Sequence, residues 1–395
     1  MRLLDKYIIY SSIFALFTEG FYFHYGIDLK LYYLILISNF FLFSINKKVI
    51  VHKNLLIIFG FLVIHGIVSY VWLQHPIKSL FAQLLGISIS SIYYYNFIKS
   101  YGVEKVFKVY LGFAVIIAFM AIPMFYLQIN SFSEFRLNGI LTEPAHYAAI
   151  MLPATYVFLR DKKYLKLGLM VVTIFLSKSS IGYIGLGLIL IFPLLKIKYF
   201  IKYAWIVFIV IGSSAYYLGT QWNKPVDENK SNVLVRRLKE TNKSLSAVAT
   251  GKFEKHTNLS SYAFLSNSFI TQKIVLNKPF GAGLGSYQYE YDLYYPLIRP
   301  PPYLVELKQS KINRTDANSL FLRMLSDLGV FAVLIFIYAG YRSYQLFSME
   351  KKNIQQSAFF YLMVKLIREG HYFPPEFYFF LFIFLKDFDE DITHS

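Results

Sequence analysis

The 395-residue chain has no cysteine, only 23 acidic residues against 40 basic ones, and eight histidines. Without cysteine there are no disulfides and no thiolate metal ligands, although this absence does not identify a compartment. The histidines include His24, His52, His65, His75, His256 and His394, which show no metal spacing, and the chain has no HExxH or paired-histidine motif. A metal enzyme is therefore not expected, and no cofactor is implied. Charge is sparse, with Asp, Glu, Lys and Arg together making 16% of the chain. In their place stand 56% hydrophobic and 19% aromatic residues, with a mean hydropathy of +0.45. These residues run in continuous blocks of about 20, the length that crosses a bilayer core as helix. They do not alternate with polar positions as a soluble domain requires, so the composition excludes a soluble fold.

The expected fold is an all-α integral membrane protein of about twelve transmembrane helices with one large extracytoplasmic loop. Apolar runs between charged breaks predict helices near 7–25, 29–45, 54–73, 78–98, 106–127, 144–159, 164–177, 181–195, 199–219, 319–341, 354–367 and 376–385. Pro153, Ser177 and Pro193 interrupt the sixth to eighth, which predicts tilted or broken helices there. The first run, Tyr7 to Tyr25, carries Glu19 and His24 without a small-residue cleavage pattern, and reads as a retained helix rather than a signal peptide. The chain thus divides into helices one to nine (1–219), a polar loop (220–317), and helices ten to twelve with a tail (318–395).

Every second short connection is basic. The residues are Lys47, Lys48 and Lys53; Lys99, Lys105 and Lys108; Arg160, Lys162, Lys163 and Lys166; Lys196, Lys198 and Lys202; and Arg342, Lys351 and Lys352. Positive residues beside spans stay cytoplasmic, so both termini are expected in the cytoplasm and the 220–317 loop outside. The formal charge of +17 belongs largely to these anchors, where it meets anionic lipid, and does not require nucleic acid. The loop is itself basic, which suits an anionic ligand outside the membrane.

Candidate chemistry gathers where connections meet the membrane. Arg136, Glu143 and His146 precede or open the sixth helix, with Pro144 at its first turn. A guanidinium, a carboxylate and an imidazole at a membrane surface suit an anion clamp beside a general base; capping by Glu143 with an interfacial Arg and His is the plainer alternative. Gly281 to Tyr287 is a glycine turn, not a dinucleotide fingerprint. Arg299 precedes three prolines, and Arg314 and Asp316 lie where the loop rejoins the helices. Arg323 and Asp327, four apart on one helix face, read as a structural pair. Arg368, Glu369 and His371 form a second small cluster in the last outside connection.

With these segments in view, the chain resembles the bacterial O-antigen polymerase and ligase family. Four stretches carry the resemblance: Arg136 to His146; the serine turn of Ser177, Lys178, Ser179, Ser180 and Gly182; the Pro-x-Gly-x-Gly turn within Lys278 to Tyr287; and Asn318 to Gly329. Ligases typically place His-Asn where the loop rejoins the helices, whereas here Ala317, Asn318 and Ser319 stand without a histidine, which favours a polymerase. The resemblance implies undecaprenyl-diphosphate-linked oligosaccharide as substrate, glycosyl transfer without metal or nucleotide sugar, and an active face on the periplasmic side of a bacterial inner membrane. It also implies membrane lipid and a chain-length regulator as partners. On this reading Arg136, Arg299, Arg314 and Arg368 hold the diphosphate, and Glu143, His146, Asp316 or His371 supplies the base. The competing functions are a ligase and a flippase of lipid-linked oligosaccharide. A flippase would be expected to show pseudo-repeated halves and charges through many spans.

Overall fold

A computed structural model describes residues 2–24, 28–130, 135–192, 245–349, 352–374 and 376–386. The expected ninth span and the first part of the large loop lie outside these residues, and the described part of the loop carries a short helix at Ala247–Thr250 near its start. Helices dominate. α1 (Leu3–Ala15), α2 (Leu31–Asn46), α3 (Lys53–Leu73), α4 (Lys78–Tyr101), α5 (Val103–Tyr126), α6 (Pro144–Arg160), α7 (Tyr164–Leu176) and α8 (Ser180–Ile191) come first. The loop contributes α9 (Ala247–Thr250), α10 (Leu259–Asn277), α11 (Tyr287–Tyr294) and α12 (Pro302–Glu306). Then follow α13 (Leu320–Leu328), α14 (Val330–Ser348), α15 (Asn353–Arg368) and α16 (Phe377–Leu385).

The apolar runs therefore form helices at the expected places, and the chain is a helical membrane protein. Among the described residues, three helices, Lys53–Leu73, Val103–Tyr126 and Val330–Ser348, have both the length and the hydropathy of a full span; Leu31–Asn46, Tyr164–Leu176 and Ser180–Ile191 are apolar but shorter. The tenth run is two helices hinged at Gly329 rather than one, and its second part extends through Arg342 to Ser348. Helix α6 runs unbroken through Pro153, because membrane helices tolerate proline where neighbours cover the freed carbonyl.

The first run departs most from expectation. α1 stops at Ala15, and a two-stranded antiparallel hairpin follows, pairing Tyr22 with Lys30, Phe23 with Leu29 and His24 with Asp28. The Thr18 hydroxyl donates to the Ala15 carbonyl at 2.8 Å, and Gly20 lies so close to the Ile140 carbonyl that a Cβ would come within 2.7 Å of it. The helix ends where the chain must turn to deliver Glu19 to a partner described below.

Helices α6 and α15 form the centre. Tyr147 to Phe158 of α6 are buried throughout, and α15 packs on α6, α16, α8, α13 and α14. Aromatic rings fill the space, with Tyr361 and Phe380 centroids 4.4 Å apart and Tyr156 and Phe360 4.8 Å apart. By contrast α3 turns Ile57, Ile64, Val68 and Val71 outward, with Trp72 84% exposed at its end, as suits a lipid-facing helix with an interfacial aromatic.

Polar contacts collect at the two ends of the helices. At one end, Asp5 accepts from Asn46 at 3.0 Å and Tyr101 at 2.9 Å, Tyr156 donates to Gln356, and Arg342 donates to the Lys386 carbonyl at 3.2 Å. At the other end lie the large loop and all the candidate site residues. Residues 5 and 386 thus share the end opposite the loop.

The loop is fastened by backbone contact. Ala282 and Gly283 donate to the carbonyls of Ser326 and Asp327, both at 2.9 Å, and Val330 donates to that of Pro279 at 2.9 Å. Gly281, Gly283, Gly285 and Gly329 all have positive φ. A Cβ on Gly281 would strike the Asp327 carbonyl, and one on Gly329 the Pro279 carbonyl. Gly329→Ala should destabilise the protein by at least about 2 kcal/mol. Gly112→Ala in α5, with nothing near its Cβ, should gain about 0.5–1 kcal/mol. Unfolding in mixed micelles checks both, and equal small effects would contradict the close-approach argument.

Candidate active site

Pro144 opens α6 with Glu143 as its cap residue in extended conformation, and this places His146 on the first turn, facing the chain that follows α1. His146 stands between two carboxylates. Its Nδ1 lies 2.6 Å from Glu19 Oε2, and its Nε2 lies 3.6 Å from Glu369 Oε2. Both carboxylates are buried, while the imidazole is 17% exposed. Behind Glu369, the buried Lys365 ammonium pairs with Glu369 and with Glu376 Oε1 at 2.8 Å. Burial alone would push the Glu19 carboxyl up, but His146, Lys365 and Lys30 outweigh it and hold Glu19 below the usual carboxylate range. Three carboxylates and one ammonium thus gather around the imidazole. Glu19, His146 and Glu369 also present ligand atoms within 4.8 Å of one another, a grouping that no sequence spacing revealed.

A second set adjoins it. Asp316 Oδ2 and His371 Nε2 are 3.7 Å apart, and the Asp316 carbonyl presses on Gly370, where a Cβ would overlap it. Ala317 and Asn318 follow with φ of 59° each, a left-handed pair that is costly for non-glycine residues and is held here by its surroundings. Asn318 Oδ1 accepts from Arg368 at 3.0 Å, and the Ser319 hydroxyl donates to the Leu366 carbonyl at 2.7 Å while capping α13. Arg323 donates to the Gly370 carbonyl at 2.7 Å, stacks on Tyr372 at 4.7 Å and lies 3.7 Å from Asp327. Asp327 in turn accepts from Gly285 N at 2.9 Å and the Tyr372 hydroxyl at 3.0 Å. Arg323 and Asp327 are a buried structural pair that joins the glycine turn to the last connection.

The other expected site residues lie apart from these contacts. Arg136 Nε donates to the Ser177 carbonyl at 3.4 Å, which ties the stretch before α6 to the serine turn, where Ser179 precedes α8 without a side-chain cap bond. The Glu143 side chain makes no cap hydrogen bond. Arg314 is gripped by Asp292, with Nε to Oδ1 at 2.8 Å. Arg299 joins Lys252 through its backbone in an isolated bridge, and its side chain is exposed. The residues brought together are therefore His146 with Glu369, Asp316 with His371, and Arg368 with Asn318. Glu19, Lys365 and Glu376 were not among the candidates. Glu19 gave one signal, being an acid inside an apolar run.

Residues 166–337 match the family model described as O-antigen ligase. Over that stretch the chain is similar to the O-antigen polymerase and ligase family. No curated protein and no solved structure matches it. The matched stretch holds the serine turn, the glycine turn and the Asn318 to Gly329 helix, whereas His146 and the Glu369 connection lie outside it. The family segment and the flanking helices thus meet at the site: α13 belongs to the matched stretch, and α15 and α6 complete its surroundings.

The family loop is latched to the α3–α4 turn. Glu290 accepts from His75 Nε2 at 2.9 Å and pairs with Lys278, and Tyr289 stacks on His75 at 5.2 Å. Burial would raise the Glu290 carboxyl, but the bonds from His75 and Lys278 hold it below the ordinary range. A carboxylate lowered in the fold stabilises above its unfolded pKa of about 4.3, and that contribution is lost as pH falls through the folded value. Glu290→Gln should therefore cost about 2–4 kcal/mol at pH 7, with the difference from wild type closing below about pH 4. Thermal melts across that range read it, and a difference that stayed constant with pH would remove the ion-pair explanation.

Proposed function

We propose that this protein is a polymerase of surface polysaccharide such as O-antigen, joining undecaprenyl-diphosphate-linked oligosaccharide repeat units by glycosyl transfer at the periplasmic face of the inner membrane. The observation that carries this reading is the meeting, in a chain whose residues 166–337 match the O-antigen ligase family model, of His146, Glu19 and Glu369 beside Arg368 at the end of the helices where the described part of the large loop lies. In the proposed topology twelve spans leave both termini in the cytoplasm. Support comes from the basic residues at the opposite end, where Lys47 and Lys105 lie over Tyr101, as the positive-inside rule requires.

Transfer from a diphosphate needs positive charge on the departing phosphates and a base at the acceptor hydroxyl. His146 is the base in this proposal, ahead of Glu143, Asp316 and His371, because it is partly exposed and carboxylates orient it. Arg136 and Arg368 hold the diphosphate. Arg299 and Arg314 assist from the loop, Arg314 after leaving Asp292. Membrane lipid surrounds the helices, and a chain-length regulator is the proposed protein partner. A ligase is the second reading, favoured by the description of the matching family model; the absence of histidine at Ala317 to Ser319 favours the polymerase.

In a strain deleted for this gene, His146→Ala and the double change Arg136→Ala, Arg368→Ala should leave single repeat units on carrier lipid, at normal protein levels and with polymer reduced at least about 100-fold. Electrophoresis of extracted glycans reads this. Undiminished long polymer in both variants would sink the site assignment, and polymer stranded on its carrier in the deletion strain would establish the ligase instead.

A further inference from the structure

We infer that Glu19 is the positioning carboxylate that fixes the tautomer of His146, so that Nε2 carries the lone pair facing the acceptor; the inference rests on the glycosyl-transfer reading above. Three observations support it. First, the two ring nitrogens are unequally held: Nδ1 is 2.6 Å from Glu19, a hydrogen bond, whereas Nε2 is 3.6 Å from Glu369, too far for one. Second, the short contact of Glu369 is with the Lys365 ammonium on its own helix turn and not with Nε2. Third, the chain bends out of helical form directly after α1 to bring Glu19 here, with Gly20 pressed on the Ile140 carbonyl. An acid placed only to end a helix needs no partner on another segment.

The chemistry follows from the tautomer. With the Nδ1 hydrogen donated to Glu19, Nε2 takes the proton of the acceptor hydroxyl. The acceptor oxygen forms the new bond to the anomeric carbon, and the bond from that carbon to the diphosphate oxygen breaks with its electron pair leaving on the lipid diphosphate. The proton on Nε2 then passes to water. While it is held, Glu19 and Glu369 face an imidazolium from both sides, and Lys365, Lys30 and Glu376 complete the charged surroundings. A carboxylate behind a histidine base acts in this way in hydrolytic triads, where its amide replacement leaves the wrong tautomer and a rate loss of about 10⁴.

Glu19→Gln is the direct test, since the amide can donate to Nδ1 and would place the hydrogen on Nε2. The purified protein in nanodiscs is supplied with lipid-linked repeat unit extracted from the deletion strain. Glu19→Gln should lower kcat at least about 100-fold with KM within about threefold, and Glu19→Asp should restore part of it. Independently of turnover, ¹⁵N spectra of the neutral His146 ring should show hydrogen on Nδ1 in the wild type and on Nε2 in Glu19→Gln. Wild-type kcat in Glu19→Gln, or an unchanged ring tautomer in a variant with a wild-type melt, overturns the inference. If wild-type protein elongates nothing while the tautomer changes as stated, the polymerase reading fails and the Glu19 to His146 coupling stands.

Discussion

A buried carboxylate that must be fully satisfied inside the structure governs the architecture around the loop. Asp327 is fully buried, and an anion there persists only when donors surround it. Its donors are Gly285 and Ser286 of the glycine turn and Tyr372 of the last connection, and Arg323 of its own helix, which donates to the Gly370 carbonyl, places positive charge 3.7 Å away. Removing any one would leave charge uncompensated. The large loop, α13 and the connection between α15 and α16 are therefore held in one arrangement. That arrangement sets Gly370 against Asp316, and with it the adjacent Glu369 beside His146.

The site joins groups whose functions conflict if separated. Three carboxylates and one lysine are costly to bury unless each has a partner, and the pairs in the structure meet that demand in sequence, from Glu19 to His146, Glu369 to Lys365, and Lys365 to Glu376. The chain of contacts leaves one nitrogen of His146 without a short bond. Strain at Ala317 and Asn318 lies on the same side, next to Arg368. Conformations of this cost persist where the surroundings over-determine them, commonly at sites with a task.

Much of the helix order was legible because lipid demands long apolar runs, and α2 to α8 begin and end within a few residues of the expected positions. The Arg323 and Asp327 pair was legible from its four-residue spacing, and the glycine turn from its composition. What escaped were features defined by distant partners. Glu19 looked like a tolerated acid within a span, since its partner lies 127 positions away. Arg314 looked available to an anion because Asp292 is 22 residues before it. The number of full spans was equally hidden, because an apolar helix as short as α7, with 13 residues, reads in sequence as a span although it is shorter than the bilayer core requires. His146 was singled out as an imidazole at a helix start, but which acid it would meet depended on the path of the chain after α1.

The partnership of Glu19 with His146 and Glu369 also bears on how the protein is made. Membrane helices enter the bilayer in order of synthesis and then associate, so His146 meets Glu19 early and Glu369 only after α15 has been inserted. Until then the imidazole has one carboxylate, and the connection bearing Gly370 and Tyr372 is not yet present to fix Asp327. The cluster is therefore completed only late in biogenesis, and a chain stopped before its last helices holds Glu19 and His146 without Glu369.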